Sequence, residues 1–176
     1  MAQTVTGILL AALTVQLAAP AGQPLPCSHG GLQQLQFLQG TWSVTGSWLG
    51  PDGSMEAVHG EAEFSRELGG CLIAERFRGT MQSASLATLA LFAYDAVQKR
   101  FELVHSDSLH GSLLTFAGAA VEDTLTFEAE VQLSRLITLR QEYRHFAATI
   151  VVERKRQFDR SSVWTTVWKA TYQKRQ

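Results

Sequence analysis

Charge is scarce in this sequence, and at its start it is missing. No Asp, Glu, Lys or Arg precedes Asp52, and over all 176 residues the four make up 18%, against 45% hydrophobic residues. Soluble domains carry roughly 25% charged residues. So apolar a chain must bury a core, which excludes the disordered class with its low hydrophobicity and high net charge. Fifteen Lys plus Arg against sixteen Asp plus Glu leave a formal charge of −1. No molecule-wide positive field therefore argues for nucleic acid as a partner.

Cysteine and catalytic signatures are equally sparse. Cys27 and Cys71 are the only cysteines, so there is no Cys-x-x-Cys pair for redox exchange or structural zinc, and no haem-attachment motif. A disulfide between them is permitted if the chain is exported, but the spacing alone does not establish it. No His-Glu-x-x-His helix or Gly-x-Ser-x-Gly elbow occurs. His59 shares strand parity with Glu61 and Glu63, and His145 lies beside Phe146 near Tyr143. These are ingredients for a metal or haem, but neither forms a motif. No cofactor is expected.

Long hydrophobic runs are also missing. The apolar segment opening at Ile8 is interrupted by Gln16 and falls short of the roughly 20 apolar residues a spanning helix needs. It ends in Ala19-Pro20-Ala21, small residues placed as before a cleavage site. Residues 1–21 therefore read as an export signal lacking the customary basic start, which predicts a periplasmic or secreted protein with no transmembrane segment in its mature form. Lipoprotein processing at Cys27 is the lesser alternative, because Leu25 and Pro26 replace the small residues that signal prefers. Residues 22–31, rich in Gly and Pro, read as a linker, and 32–176 as a single domain.

Within that domain, Leu32, Leu35 and Leu38 recur at helical spacing before Gly40, predicting a short N-terminal helix across one end of the fold. From Thr41 the period becomes two. Trp42, Val44, Gly46 and Trp48 share one face, Leu125, Phe127, Ala129 and Val131 another, and Trp164, Thr166, Trp168, Ala170 and Tyr172 a third. About ten such segments follow one another across short turns such as Gly50-Pro51-Asp52-Gly53, with no long crossovers. The pattern predicts an all-β fold: an antiparallel barrel or closed meander, with a β-sandwich as the alternative.

Chemistry-bearing residues are few. Phe101, Leu103, His105 and Asp107 share a strand face, so His105 could meet a polar ligand below apolar walls. Glu75 has the parity of the apolar face and would need an internal partner, for which Arg140 is one candidate. Residues 135–176 hold ten basic and three acidic residues, and Arg154-Lys155-Arg156 reads as a hydrated cluster beside a turn. Trp42, Trp48, Phe127 and Trp168 supply apolar walls. With Glu75, His105 and Arg140 they form the candidate ligand-binding set for a small hydrophobic or amphipathic molecule. A structural or protein-interaction role with an envelope partner is the other main reading, while an enzyme or haem protein ranks below both.

Gly40-Thr41-Trp42, the stretch Glu67-Leu68-Gly69-Gly70-Cys71 through Gly79, and Tyr94-Asp95 with Lys99-Arg100-Phe101 together resemble the bacterial family of unknown function DUF1579. Thr124-Leu125-Thr126-Phe127 and Ala170–Lys174 extend the similarity over roughly residues 32–175. The resemblance implies a lipocalin-like barrel, often exported, and no established reaction. Lys169 stands where that family's pattern has an acidic residue, and His105 or a neighbouring position where it has a tryptophan.

Overall fold

The computed structural model describes residues 31–175. The leader-like residues 1–21, most of the linker and Cys27 lie outside the described residues. Cys71 is not a free thiol.

Ten strands follow in order: β1 Gly40–Leu49, β2 Met55–Glu67, β3 Leu72–Met81, β4 Ala84–Asp95, β5 Arg100–Asp107, β6 Leu114–Val121, β7 Thr124–Gln132, β8 Leu136–Phe146, β9 Thr149–Phe158 and β10 Thr165–Lys174. Each pairs antiparallel with the next, and β10 pairs with β1 from Trp42↔Lys174 to Trp48↔Trp168, closing the barrel. Alternation drives this arrangement, since every strand has an apolar face to bury. Closure then satisfies the backbone donors and acceptors that a sandwich would leave at its edges. The sandwich alternative is thereby set aside.

The short helix expected over Leu32–Leu38 is instead a 3-10 helix of seven residues. The Leu spacing gives the reason. A strict i, i+3 repeat stacks side chains on one face at three residues per turn, whereas an α-helical stripe also needs i+4 contacts. Leu32, Leu35 and Leu38 are buried and cap the barrel end that carries the β2–β3, β4–β5, β6–β7 and β8–β9 turns. Trp42 Nε1 donates a 2.7 Å hydrogen bond to the Leu38 carbonyl oxygen, and Phe37 stacks on His145 with ring centroids 4.6 Å apart. The opposite end, formed by the other hairpin loops, is the mouth.

Two local features shape the wall. Gly60 and Gly79 face each other across β2 and β3. A Cβ at Gly60 would lie 2.4 Å from the Arg78 carbonyl oxygen and 2.7 Å from the Phe77 ring. Only glycine lets these strands and that ring come so close.

In β10 the register with β9 shifts between Thr166 and Trp168. Strict alternation places Trp164 and Thr166 on the inner face with Trp168, but the irregularity resets the parity. Thr166 turns outward and donates a hydrogen bond to Glu153, and Trp164 lies under the Arg140 guanidinium on the outer wall.

Candidate functional site

The barrel interior divides into two halves. Toward the capped end it is filled by side chains: Phe92, Phe127 and Tyr143 pack edge-on at centroid distances of 5.4–6.2 Å, and Phe64 lies tilted against Phe92 at 6.1 Å. Toward the mouth it holds a hollow of about 420 Å³ including its opening, of which a water molecule's centre can reach only about 30 Å³. Trp48, Phe77, Leu86, Val152 and Trp168 give it apolar walls, and Glu75, His105, Asp107, Gln141, Tyr143, Arg154 and Tyr172 give it polar ones.

Each polar group arrives by strand parity. Glu75 follows Ile73 and precedes Phe77 on the inner face of β3, where it is 3% exposed. Tyr172 Oη donates to Glu75 Oε1 at 2.8 Å. On β8, Gln141 donates through Nε2 to the Tyr143 hydroxyl oxygen and accepts a 2.7 Å bond from Arg154 Nε. Arg154 reaches the interior because it continues the Ile150, Val152 alternation of β9. Among the described residues no carboxylate forms an ion pair with it.

His105 is 8% exposed, and its Nδ1 has no hydrogen-bond partner. Asp107 closes the β5–β6 turn instead, accepting from the Leu109 and His110 backbone N–H groups at 2.9 and 2.8 Å and contacting the His110 ring at 3.0 Å. That ring lies nearly parallel to Trp48, which meets Trp168 edge-on at 6.1 Å.

Burial sets the electrostatics. Removal from water pushes the Glu75 carboxyl up to about 7, against the opposing pull of the Tyr172 hydrogen bond and the Arg154 charge. Burial, reinforced by Arg154, pushes His105 down to about 3, so its imidazole is neutral at physiological pH. Burial would raise Asp107, but hydrogen bonds from His110 and Leu109 outweigh it and hold the carboxyl below its ordinary value. Tyr143 and Tyr172 are raised, chiefly by burial, and remain neutral donors.

Of the residues expected from sequence to contact a ligand, Trp48, Glu75, His105 and Trp168 come together here. Trp42 and Phe127 are inside but belong to the packed half, Trp42 at the cap and Phe127 against Phe92 and Tyr143. Arg140 is a correction. It stands on the outer wall, with Nε donating to Glu128 Oε1 at 2.7 Å, and it cannot serve Glu75.

The internal cation is Arg154, expected to be hydrated beside a turn. The signal for it was present in Ile150-x-Val152-x-Arg154, but the neighbouring Lys155 and Arg156 disguised it as a surface cluster. The weaker chemical candidates stay apart. His59, Glu61 and Glu63 are exposed on the outside of β2, and His145 is engaged at the capped end by Phe37 and the Ala147 carbonyl oxygen, 2.7 Å away. Among the described residues no three His, Cys, Asp or Glu side chains cluster to hold a metal, and no helix is long and apolar enough to cross a membrane.

These features define a class: a closed ten-stranded antiparallel barrel, packed at one end and holding at the other a hollow with apolar walls and a few polar groups. The chain belongs to the family of proteins of unknown function DUF1579, whose sequence profile matches residues 29–174. Its fold is similar to the crystal structure of Rv2717c from M. tuberculosis, with a TM-score of 0.60 and 13% identity over 88% of this chain and 100% of that one. At that identity the likeness is one of fold. Among curated proteins, none matches this chain.

Proposed function

We propose that this protein is a noncatalytic binding protein that reversibly encloses a small amphipathic molecule in the mouth half of its barrel. One observation carries the reading, the division of the interior. A barrel selected only for stability would fill both halves with apolar side chains, because buried polar groups cost free energy wherever a hydrogen bond is left unmade, and a buried charge can cost it even when paired. Here the capped half is filled, while the mouth half gathers Glu75, His105, Gln141, Arg154 and Tyr172 around a hollow walled by Trp48, Phe77 and Trp168. Ligand pockets combine apolar walls with a few convergent polar groups in this way.

The hollow is narrow, so entry requires Trp48 and Trp168 at the rim to swing aside. A barrel plugged at one end and open at the other suits small-ligand carriage, and in that sense we read the fold as lipocalin-like. We place the activity outside the cytoplasm, on the leader-like composition of residues 1–21. Fractionation should then recover a chain beginning near Gly22 in the exported fraction, and a cytoplasmic chain retaining Met1 would contradict it.

Native mass spectrometry after gentle purification tests the function. The expected result is a bound small-molecule mass that is lost on denaturation. A consistently ligand-free protein that also fails to bind any added amphipathic compound would overturn the proposal.

A further inference from the structure

We infer that the ligand is a small monocarboxylate, its carboxylate received by the terminal nitrogens of Arg154 and its apolar body held between Trp48, Phe77 and Trp168. This rests on the enclosure reading above and specifies its chemistry. Arg154 projects into the hollow with only one of its five N–H donors used, the Nε–H given to Gln141 Oε1 at 2.7 Å. That bond fixes the plane of the guanidinium and leaves its outer edge free. Among the described residues neither terminal nitrogen makes a hydrogen bond and no carboxylate lies within 4.0 Å. Asp107 and Glu75 act on this cation only from beyond ion-pairing distance, so an arriving anion is the first to meet it at contact.

A second observation points the same way. His105, more than nine-tenths buried, lines the same hollow with its Nδ1 unpartnered. In the Nδ1-protonated tautomer, this neutral ring offers a second donor to an anion without adding charge. Arg156, two residues nearer the mouth on the same face of β9, also has an unpartnered Nε and lies 5.3 Å from the Phe158 ring centroid.

The chemistry favours a carboxylate over a phosphate. A planar guanidinium edge pairs two N–H groups with the two oxygens of one carboxylate. Glu75 and Asp107 line the same hollow and oppose a second negative charge. The restricted space selects a flat or short body, such as a single ring or a short acyl chain.

The test is tryptophan fluorescence titration of the full chain with benzoate, hexanoate, their neutral amides and phenyl phosphate. Each acid is expected to bind at least tenfold more tightly than its amide. Arg154→Gln should abolish that preference, Arg154→Lys should weaken it, and Arg140→Gln on the outer wall should retain it. Circular dichroism establishes that each variant is folded.

Equal affinity for acid and amide, a preference surviving in Arg154→Gln, or tighter binding of phenyl phosphate than of benzoate would overturn the carboxylate assignment and leave enclosure standing. If none of the five binds, the molecule extracted from the native protein decides. A carboxylic acid supports the inference, any other chemistry overturns it, and an empty protein overturns enclosure as well.

Discussion

Glu75 is held by the fold against its own ionisation. Its carboxyl is raised from 4.5 to about 7, so between those pH values the folded chain keeps a proton that the unfolded chain releases. Stability therefore falls as pH rises from about 4.5 to 7 and is level above, by roughly 3 kcal/mol over the window. His105 acts oppositely. Lowered from 6.5 to about 3, it lets the unfolded chain take up a proton first, so stability falls as pH drops through that range.

The two slopes oppose each other between about 4.5 and 6.5, and a single-site variant separates them. Urea denaturation at pH 5 and pH 8 should show Glu75→Gln gaining roughly 2 kcal/mol on the unsubstituted chain between the two conditions. Parallel pH profiles would mean that Glu75 ionises freely and is not enclosed. At this scale Glu75, His105, Trp48 and Trp168 were legible, because alternation within a strand assigns a face without knowledge of the neighbouring strands. Arg140 and Arg154 were exchanged. Arg154 continues the inward parity of Ile150 and Val152, but Lys155 and Arg156 beside it disguise that signal, while Arg140 shares its parity with Leu136 and so reads either way.

Among the elements, the 3-10 helix over Leu32–Leu38 holds the capped end shut through three leucines and the Trp42 indole. Leu35→Ala should cost about 2–5 kcal/mol in urea denaturation, as expected for a fully buried leucine whose surroundings cannot collapse around the gap. A loss below about 1 kcal/mol would show the segment to be an ornament rather than a plug. Gly60 tests the wall. Gly60→Ala forces a methyl group against the Arg78 carbonyl and the Phe77 ring, and should destabilise by roughly 1–3 kcal/mol. Since Phe77 lies edge-on to Trp168 at 6.3 Å, tryptophan emission should change with it.

The strands themselves were readable from their period of two and the turns between them. The register shift in β10 was not, since an irregularity of pairing leaves no mark on a sequence whose Trp164, Thr166 and Trp168 keep a perfect alternation. The 3-10 form of Leu32–Leu38 had a sequence trace too, in a leucine repeat that keeps strictly to i, i+3 with no i+4 partner.

For the molecule as a whole, alternation called for an antiparallel β-fold, but closure depends on β1 meeting β10, a contact between strands more than a hundred residues apart. Alternation alone therefore fits a sandwich as well as a barrel. The division into a packed half and a hollow half is likewise a tertiary property. Aromatic residues supply both halves, and their sequence positions do not say which of them face empty space.

The four tryptophans sample this division: Trp42 at the cap, Trp48 and Trp168 at the hollow, and Trp164 on the outer wall. The most direct test is an NMR titration of the four indole N–H resonances with benzyl alcohol as a minimal amphipathic probe. Saturable shifts of Trp48 and Trp168, with Trp42 and Trp164 unmoved, are the predicted result. Stationary Trp48 and Trp168 signals, or shifts confined to Trp164, would contradict it.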